Sequence, residues 1–313
     1  MAIIFDLRVG SMNISINDIF NSIFNFDSNN VSEVTARIFR FPRVISAVLV
    51  GICLSISGLF MQTLFQNPLA GPYVLGINSG SSFMVAVITM TGFGLFTNSI
   101  NIVSAAMLGA FLCGMVILLF SFYIKNKVSL LLVGIMIGSF LGAMVSVIQS
   151  YSSPDNLKLF MFWSFGSLNH IELAQIPIFS IIAIVGLGLS FLLMKPLSLL
   201  SIGEENAIHL GVNLKFTRFS IIIITAVLTG VCTAFCGPIA FVGLIVPNIV
   251  KRLYRTSNYS ILLVGVVLLG SLLVVLCDIA MNLLHPFIYL PLNAMTSILG
   301  APVVIWIILK KIG

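Results

Sequence analysis

The feature that most constrains the fold is a series of apolar runs, each about 20 residues long, separated by short polar links. The chain has 313 residues, of which 59% are hydrophobic and 8% are charged, whereas soluble domains carry roughly 25% charged residues. A helix of about 20 apolar residues crosses the hydrocarbon core of a bilayer. The runs do not alternate in the way that barrel strands do. The sequence therefore predicts an all-α polytopic membrane protein with a single domain over residues 1–313.

The apolar runs predict nine membrane spans, of which the seventh is short. Their predicted ranges are 43–65, 71–93, 100–124, 128–150, 174–194, 217–236, 238–251, 260–281 and 291–309.

The basic residues predict the orientation of these spans. Ten of the fifteen lysines and arginines fall in links on one side, which the positive-inside rule places in the cytoplasm. Residues 1–36 then form an extracytoplasmic segment, although no span precedes them. We therefore expect a first span that is missing or truncated. The net charge of +6 comes from small groups of basic residues between apolar runs, so it indicates membrane topology and no nucleic acid partner.

Three arginines, Arg37, Arg40 and Arg43, stand at the start of the first long run. Their spacing places them close to one face of a helix, at the outer end of a span, where basic residues are less common. This pattern predicts a docking surface for an acidic partner. Ordinary anchoring of a helix at the membrane interface is the alternative.

The longest cytoplasmic link, residues 196–216, contains the pattern of a short helix. Glu204, Ala207 and Leu210 share one helix face, and Gly211 is a C-terminal stop signal. A short helix between two spans suits contact with a cytoplasmic protein, whereas the alternative is a solvated turn. The predicted contact residues are Gly203, Glu204, Glu205, Ala207, Leu210 and Gly211.

Two interruptions by proline predict broken helices. Asn67-Pro68 ends the first long run, because proline lacks a backbone donor and disfavours helix in the residue before it. Gly237-Pro238 and Pro247 bound the short seventh run, and we interpret these three residues as structural hinges. Paired broken helices in the two halves of a transporter flank its pathway.

Small residues recur in the fourth run, at Gly134, Gly138 and Gly142, with Ser139 between them. Such a row either packs against another helix or lines a path. Asp278 is the single acid inside the apolar runs, and either a structural partner or a transport role would explain it. The cysteines lie inside apolar runs and are interpreted as small packing residues, not as metal ligands.

No catalytic motif is present in the sequence. It has no phosphate-binding loop of the G-x-x-x-x-G-K-[ST] type, no H-E-x-x-H and no G-x-S-x-G. The chain is therefore predicted not to be an enzyme, and its energy source for transport would lie on another subunit.

Taken together, these motifs resemble the permease family of ABC importers for iron-siderophore, haem and cobalamin. The resemblance rests on Arg40-Phe41-Pro42-Arg43, Ser57-Gly58, Gln62, Asn67 to Pro72, Leu75-Gly76, Trp163, Gly166-Ser167-Leu168, Gly203 to Gly211, Gly237 to Leu244, and Leu299 to Pro302. One departure from the family pattern is Pro247-Asn248, where the family has Pro-His.

The resemblance implies a ten-span permease of the type II ABC importer fold, multi-pass in the bacterial cytoplasmic (inner) membrane with a cytoplasmic C-terminus. It implies a second permease copy (a homodimer, or a paralogous partner), two cytoplasmic ATPase subunits that bind ATP and Mg, and an extracytoplasmic binding protein. The chain itself is expected to bind no cofactor. Arg40 and Arg43 correspond to the docking arginines, residues 204–211 to the coupling helices, and Asn67 and Leu69, with Pro68 between them, to the cytoplasmic gate.

The function expected from the resemblance is import of an iron chelate, with a siderophore first and haem or cobalamin as further options. The glycine row, with Ser139, would line the translocation path. The alternative from another class is a secondary transporter or channel driven by an ion gradient.

Overall fold

The computed structural model describes residues 2–8, 14–91, 99–124, 126–169, 171–285, 287–288 and 290–312. Within these ranges the chain is helical and has no strand. The α-helices, in chain order, are α1 (Ala2–Arg8), α2 (Ile16–Phe24), α3 (Val31–Thr35), α4 (Phe41–Leu64), α5 (Ile77–Met90), α6 (Ser99–Tyr123), α7 (Lys127–Tyr151), α8 (Pro154–Ser164), α9 (Ile176–Leu192), α10 (Met194–Leu200), α11 (Glu204–His209), α12 (Leu214–Cys236), α13 (Val242–Tyr254), α14 (Tyr259–Leu284) and α15 (Leu292–Ile312).

The predicted all-α membrane fold is confirmed. Six helices of the described chain are long and apolar enough to cross a membrane, namely Val31–Leu64, Ile102–Tyr123, Lys127–Tyr151, Leu173–Leu192, Leu214–Cys236 and Tyr259–Leu284. Two shorter apolar helices are Ile77–Met90 and Leu292–Trp306. Each of the nine predicted runs overlaps a helix, and the short seventh run corresponds to α13. Residues 92–93, the end of the second predicted span, lie outside the described residues.

Helix α4 is the centre of the bundle and packs against α14, α12, α13 and α9. Glycines permit its closest contacts. A Cβ atom added to Gly51 would collide with the backbone of Gly270 in α14, and one added to Gly58 would collide with the carbonyl group of Gly243 in α13. Small residues thus bring these helix axes close together, as is typical of membrane helices.

Helices α5, α6 and α7 form a second group beside this centre. Gly80 of α5 meets Gly109 of α6 at a contact too close for a Cβ atom on either residue. Helix α7 lies at the periphery, and large apolar side chains such as Met136 and Phe140 are exposed along it. The outer surface of the bundle is therefore apolar, as lipid or another membrane subunit requires.

Three regions differ from the sequence prediction. Residues 71–76 are not part of a long helix, because a 3₁₀ turn (Pro72–Leu75) and the left-handed Gly76 precede α5. Helix α8 was not predicted, although Ser153 and Pro154 form an ordinary N-terminal capping signal there. Helix α10 was also missed, since it follows α9 after a single intervening residue.

The N-terminal segment carries more structure than its polar composition suggests. Helix α1 packs against α14 and α4, and Leu7 and Asp6 are buried there. Helix α2 begins at the N-cap Ser15, whose hydroxyl accepts from the backbone N–H of Asp18. Residues 2–8 therefore pack as part of the helical bundle.

The prediction that α13 breaks at Pro247 was wrong. The segment before it is irregular, with positive φ at Gly237 and Phe241, but the helix then runs through Pro247 to Tyr254. Side-chain hydrogen bonds stabilise the helical turn before the proline, because the amides of Gln62 and Asn248 both donate to the carbonyl of Leu244. In the described residues 237–254 the helix is therefore interrupted at Gly237-Pro238 and continuous at Pro247.

Candidate functional site

Polar side chains concentrate at the two opposite ends of α4. We call the end with Arg43, at the start of α4, the Arg43 end. We call the other, where α4 meets the C-terminal part of α13, the Lys251 end. The first turns of α9 lie at the Arg43 end, and α11 lies at the Lys251 end.

A buried ion pair organises the Arg43 end. Arg43 Nε donates to Asp278 Oδ2 at 2.7 Å, and the Asp278 side chain is 1% exposed. This contact joins α4 to α14, so a structural partner accounts for the single acid of the apolar runs.

The same cluster holds α1 in place. Arg40 Nη1 donates to the carbonyl of Leu7 at 2.7 Å, and Asn282 Nδ2 donates to Asp6 Oδ1 at 3.4 Å. These contacts connect the N-terminal helix to both α4 and α14.

The three arginines predicted as a common docking face are not equivalent. Arg37 lies 4.5 Å from the ring centre of Phe26, whereas Arg40 is only 7% exposed and Arg43 is held by Asp278. The segment before α4, Ala36–Arg40, is a π-helical turn. Its wider spacing turns Arg37 away from the face that Arg40 and Arg43 share, which the assumption of a regular α-helix could not show.

A network of amides organises the Lys251 end. Gln62 Nε2 donates to the carbonyl of Leu244 at 3.0 Å, and Lys251 Nζ donates to Gln62 Oε1 at 3.1 Å. Asn248 Nδ2 donates to the carbonyl of Pro68 at 2.7 Å. These contacts join α4 and α13 to the irregular link between α4 and α5.

That link, residues 65–76, is also bound to the segment that precedes α11. Gln66 adopts a left-handed backbone conformation and donates from Nε2 to the carbonyl of Leu200 at 3.2 Å. Asn67 Oδ1 accepts from the backbone N–H of Leu69, whose side chain is 39% exposed. The predicted gate residues Asn67, Pro68 and Leu69 therefore lie between α13 on one side and α10 on the other.

A cleft of about 650 Å³ opens at this end of the bundle. Its lining comes from the end of α4, the link that follows it, the link between α10 and α11, and the start of α14. Asn67 and Pro68 contribute to one wall, Gly203 to another, and Lys251 lines the cleft together with Gln62.

Helix α11 forms where the coupling helix was predicted, and Gly211 follows it with a φ of +86°. Gly203, with a φ of +116°, precedes it. Glu204 Oε1 accepts from Arg218 Nη2 at 2.7 Å and lies 3.4 Å from Lys127 Nζ. These ion pairs attach α11 to the first turns of α12 and α7.

The face of α11 that points away from the bundle differs from the predicted one. Ala207 is fully buried, so it packs inside and cannot contact a partner, while Leu210 lies beyond the end of the helix and is 62% exposed. Glu205 is exposed and Ile208 is 54% exposed. The exposed surface of this segment is thus formed by Glu205, Asn206, Ile208, His209 and Leu210.

The glycine row of α7 divides into two parts. Cβ atoms at Gly134 and Gly138 would press against residues 74–79, so these two glycines accommodate the turn before α5. Nothing lies within 4 Å of a Cβ atom at Gly142, and Ser139 is exposed. Close packing therefore explains Gly134 and Gly138, and only Ser139 and Gly142 face outward from the described chain.

The local structure requires a glycine at the first position of the Gly237-Pro238 pair. Gly237 has a φ of +73°, and a Cβ atom there would collide with the carbonyl of Trp163 at the end of α8. The adjacent carbonyl of Cys236 accepts from the backbone N–H of Ser167 at 2.8 Å. The interruption therefore lets α8 and the segment after it pack against the end of α12.

Three residues of the Lys251-end network were not predicted as site residues. Gln62 and Asn248 entered the prediction only through the family resemblance, and Lys251 was one of the ten basic residues that predicted the cytoplasmic side. A signal was present, since Asn248 and Lys251 lie three residues apart and on one side of a helix. Their partners, the carbonyl of Pro68 for Asn248 and Gln62 for Lys251, are about 180 residues away in the chain, and no local pattern identifies them.

This arrangement of a deeply buried central helix, two interrupted helices and a short helix at one end is that of a membrane permease. The model of the FecCD transport family matches residues 1–310. The chain belongs to this family, which confirms the resemblance seen in the sequence.

The chain is 33% identical over 311 residues to the hemin transport system permease protein HmuU of Yersinia pestis, an alignment that covers 97% of this chain and 92% of the relative. It is 32% identical over 273 residues to the vitamin B12 import system permease protein BtuC of Citrobacter koseri, covering 87% and 82%. A solved ABC transporter of the metal-chelate type, in an inward-facing conformation, matches with a TM-score of 0.87 and 27% identity over 99% of this chain and 95% of that chain. The predicted ABC importer permease fold is thereby confirmed.

Proposed function

We propose that this chain is the membrane-spanning subunit of an ATP-driven importer, and that its cargo is an iron chelate, with a siderophore ahead of haem or cobalamin. Two relatives named above are permeases for hemin and for vitamin B12, and a third, from Helicobacter pylori, is named as a probable iron chelatin permease. In this proposal two copies of the permease enclose the path, and two cytoplasmic ATPases and an extracytoplasmic binding protein complete the assembly in the bacterial cytoplasmic membrane.

The observation that carries the proposal is the attachment of α11. A helix of six residues is too short to be stable in isolation. Glu204 attaches α11 to two membrane helices through its ion pairs with Arg218 and Lys127. Its exposed residues Glu205, Ile208 and Leu210 are then available to an ATPase subunit. A contact that is attached to two membrane helices in this way would transmit movement of the ATPase to them.

The gate assignment follows from the contacts of the link between α4 and α5. Gln66 connects this link to Leu200, four residues before α11, and Asn248 connects it to α13. Movement of α11 would therefore reach Asn67, Pro68 and Leu69 through one hydrogen bond and a short stretch of backbone. We assign these three residues to the cytoplasmic gate, and Ser139 and Gly142 on the exposed face of α7 to the path.

At the other end we assign docking of the binding protein to the surface that carries Arg37. Arg40 and Arg43 support this surface from inside by fixing α1 and α14. Charge reversal at Arg37 would slow association in a salt-dependent manner, because exposed charges at the edge of an interface act mainly on the association rate.

The function is tested by reconstitution of the full chain with the ATPase encoded beside it and the cognate binding protein. Uptake of a ferric siderophore, haem and cobalamin into proteoliposomes is measured with ATP inside, and a Walker A lysine variant of the ATPase is the matched control. We expect uptake of one ligand class that requires the intact ATPase. Uptake that depends on an ion gradient and does not require ATP would instead show that the chain is a secondary transporter.

A further inference from the structure

The cleft at the Lys251 end has the size and the lining of a small-molecule site. Its volume of about 650 Å³ lies within the range of roughly 300–1,000 Å³ that is typical of ligand pockets. Unlike the outer surface of the bundle, its walls carry many polar groups. The lining side chains that can donate hydrogen bonds include Gln66, Asn67, Ser201, Thr256, Ser257 and Lys251.

Lys251 is a cation without an acidic partner. Among the residues that the structure describes, no carboxylate forms an ion pair with its Nζ atom, and the lining of the cleft contains no aspartate or glutamate. The hydrogen bond from Nζ to Gln62 Oε1 uses one of the three donors of the ammonium group. The other two donors are available to a ligand.

Lys251 lies in the last turn of α13, where it is partly buried and lines the polar cleft. Ionisable groups of membrane helices are usually paired with one another, and where they are not they mark functional sites. Two other polar clusters in the described part of the chain are paired in this way, since Arg43 has Asp278, and Arg218 and Lys127 have Glu204. Lys251 is thus a partly buried cation that no acid of the described residues neutralises, and it lines an open polar cleft.

We propose that this cleft binds a small oxyanion, either a carboxylate or a phosphate, with Lys251 as the cationic group and the amides and hydroxyls of the walls as additional donors. The inference does not depend on the proposed transport function, because it concerns binding to the chain itself. Since Gln62 Oε1 and the oxyanion would both accept from Lys251, binding would also act on the contact between Gln62 and α13.

The test is isothermal titration of the full-length protein in lipid nanodiscs, together with its co-purifying subunits, using citrate and inorganic phosphate as separate probes. We expect one binding event per chain. Lys251→Gln should weaken it by about tenfold or more, since it removes a hydrogen bond to a charged group, whereas Lys251→Arg should keep the affinity within about threefold. Lys215→Gln, at an exposed lysine of the same end, is the matched control and should leave the affinity unchanged.

Citrate and phosphate distinguish the two classes of oxyanion, and binding of either one supports the site. Absence of binding by the unmodified protein would overturn the proposal, as would equal affinity in the Lys251→Gln variant. Equal losses in Lys251→Gln and Lys215→Gln would show general attraction to a positive surface and would also overturn it. If Lys251→Gln released an ATPase subunit and left anion affinity intact, the cleft would be a protein contact and the proposal would be wrong.

Discussion

The two ends of the central helix α4 differ in how their polar side chains are satisfied. At the Arg43 end, the charges of Arg43 and Asp278 cancel, and the neighbouring pocket encloses only about 30 Å³. At the Lys251 end, neutral amides bond to backbone carbonyls, a lysine has no acidic partner among the described residues, and the cleft measures about 650 Å³.

The difference indicates which end can rearrange at low cost. Separating a buried ion pair leaves two unmatched charges, which costs several kcal/mol. Exchanging an amide hydrogen bond for one to water costs about 1 kcal/mol. We therefore expect the Arg43 end to keep its geometry while the Lys251 end changes during function.

The largest expected effect on stability is that of a substitution at Asp278. Asp278→Asn leaves Arg43 beside a neutral amide, and loss of one partner of a buried pair should lower the free energy of unfolding by about 3 kcal/mol. Thermal unfolding in detergent measures the effect. Asp155→Asn, at an exposed acid of α8, is the control and should change stability by less than about 0.5 kcal/mol. Equal melting temperatures for the two variants would remove the distinction between the ends.

A smaller effect is expected at Asn248. Asn248→Ala removes the donor to the carbonyl of Pro68 and should cost about 1–2 kcal/mol, confined to the link between α4 and α5. Hydrogen exchange should become faster in residues 66–70 and stay unchanged in the middle of α4. The matched variant Asn169→Ala alters an exposed amide at the Arg43 end and should leave both regions as they are. Uniformly faster exchange would mean that Asn248 supports the whole bundle.

The smallest effect on stability is expected at Glu204, because its ion pairs are partly exposed. Glu204→Gln should cost about 1 kcal/mol or less, yet it should loosen α11 and lower the amount of substrate transported per ATP hydrolysed. Glu205→Gln, the next residue and one without an ion pair in the described structure, is the control for stability. Transport per ATP that stays normal in Glu204→Gln would show that the ion pairs do not hold the coupling contact.

Much of the fold could be predicted from the sequence because the cause is local. Apolar runs of about 20 residues determine where spanning helices form, since each such run satisfies its own backbone hydrogen bonds. The Gly203 to Gly211 pattern likewise predicted α11, because its start and stop signals lie within nine residues. The interruption after Gly237 followed from the backbone chemistry of glycine and proline.

Tertiary structure decided what the polar side chains do. The sequence placed Arg40 and Arg43 on a docking face and left Asp278 without a partner, but the fold joins Arg43 to Asp278 across 235 positions of the chain. In the folded chain Ala207 is buried, and α13 continues through Pro247. Packing of α4 against α13 also places Gln62, Asn248 and Lys251 in one network. The physical reason is that hydrophobicity acts along a local stretch of chain, whereas the pairing of a charge or an amide depends on which helix the packing places beside it.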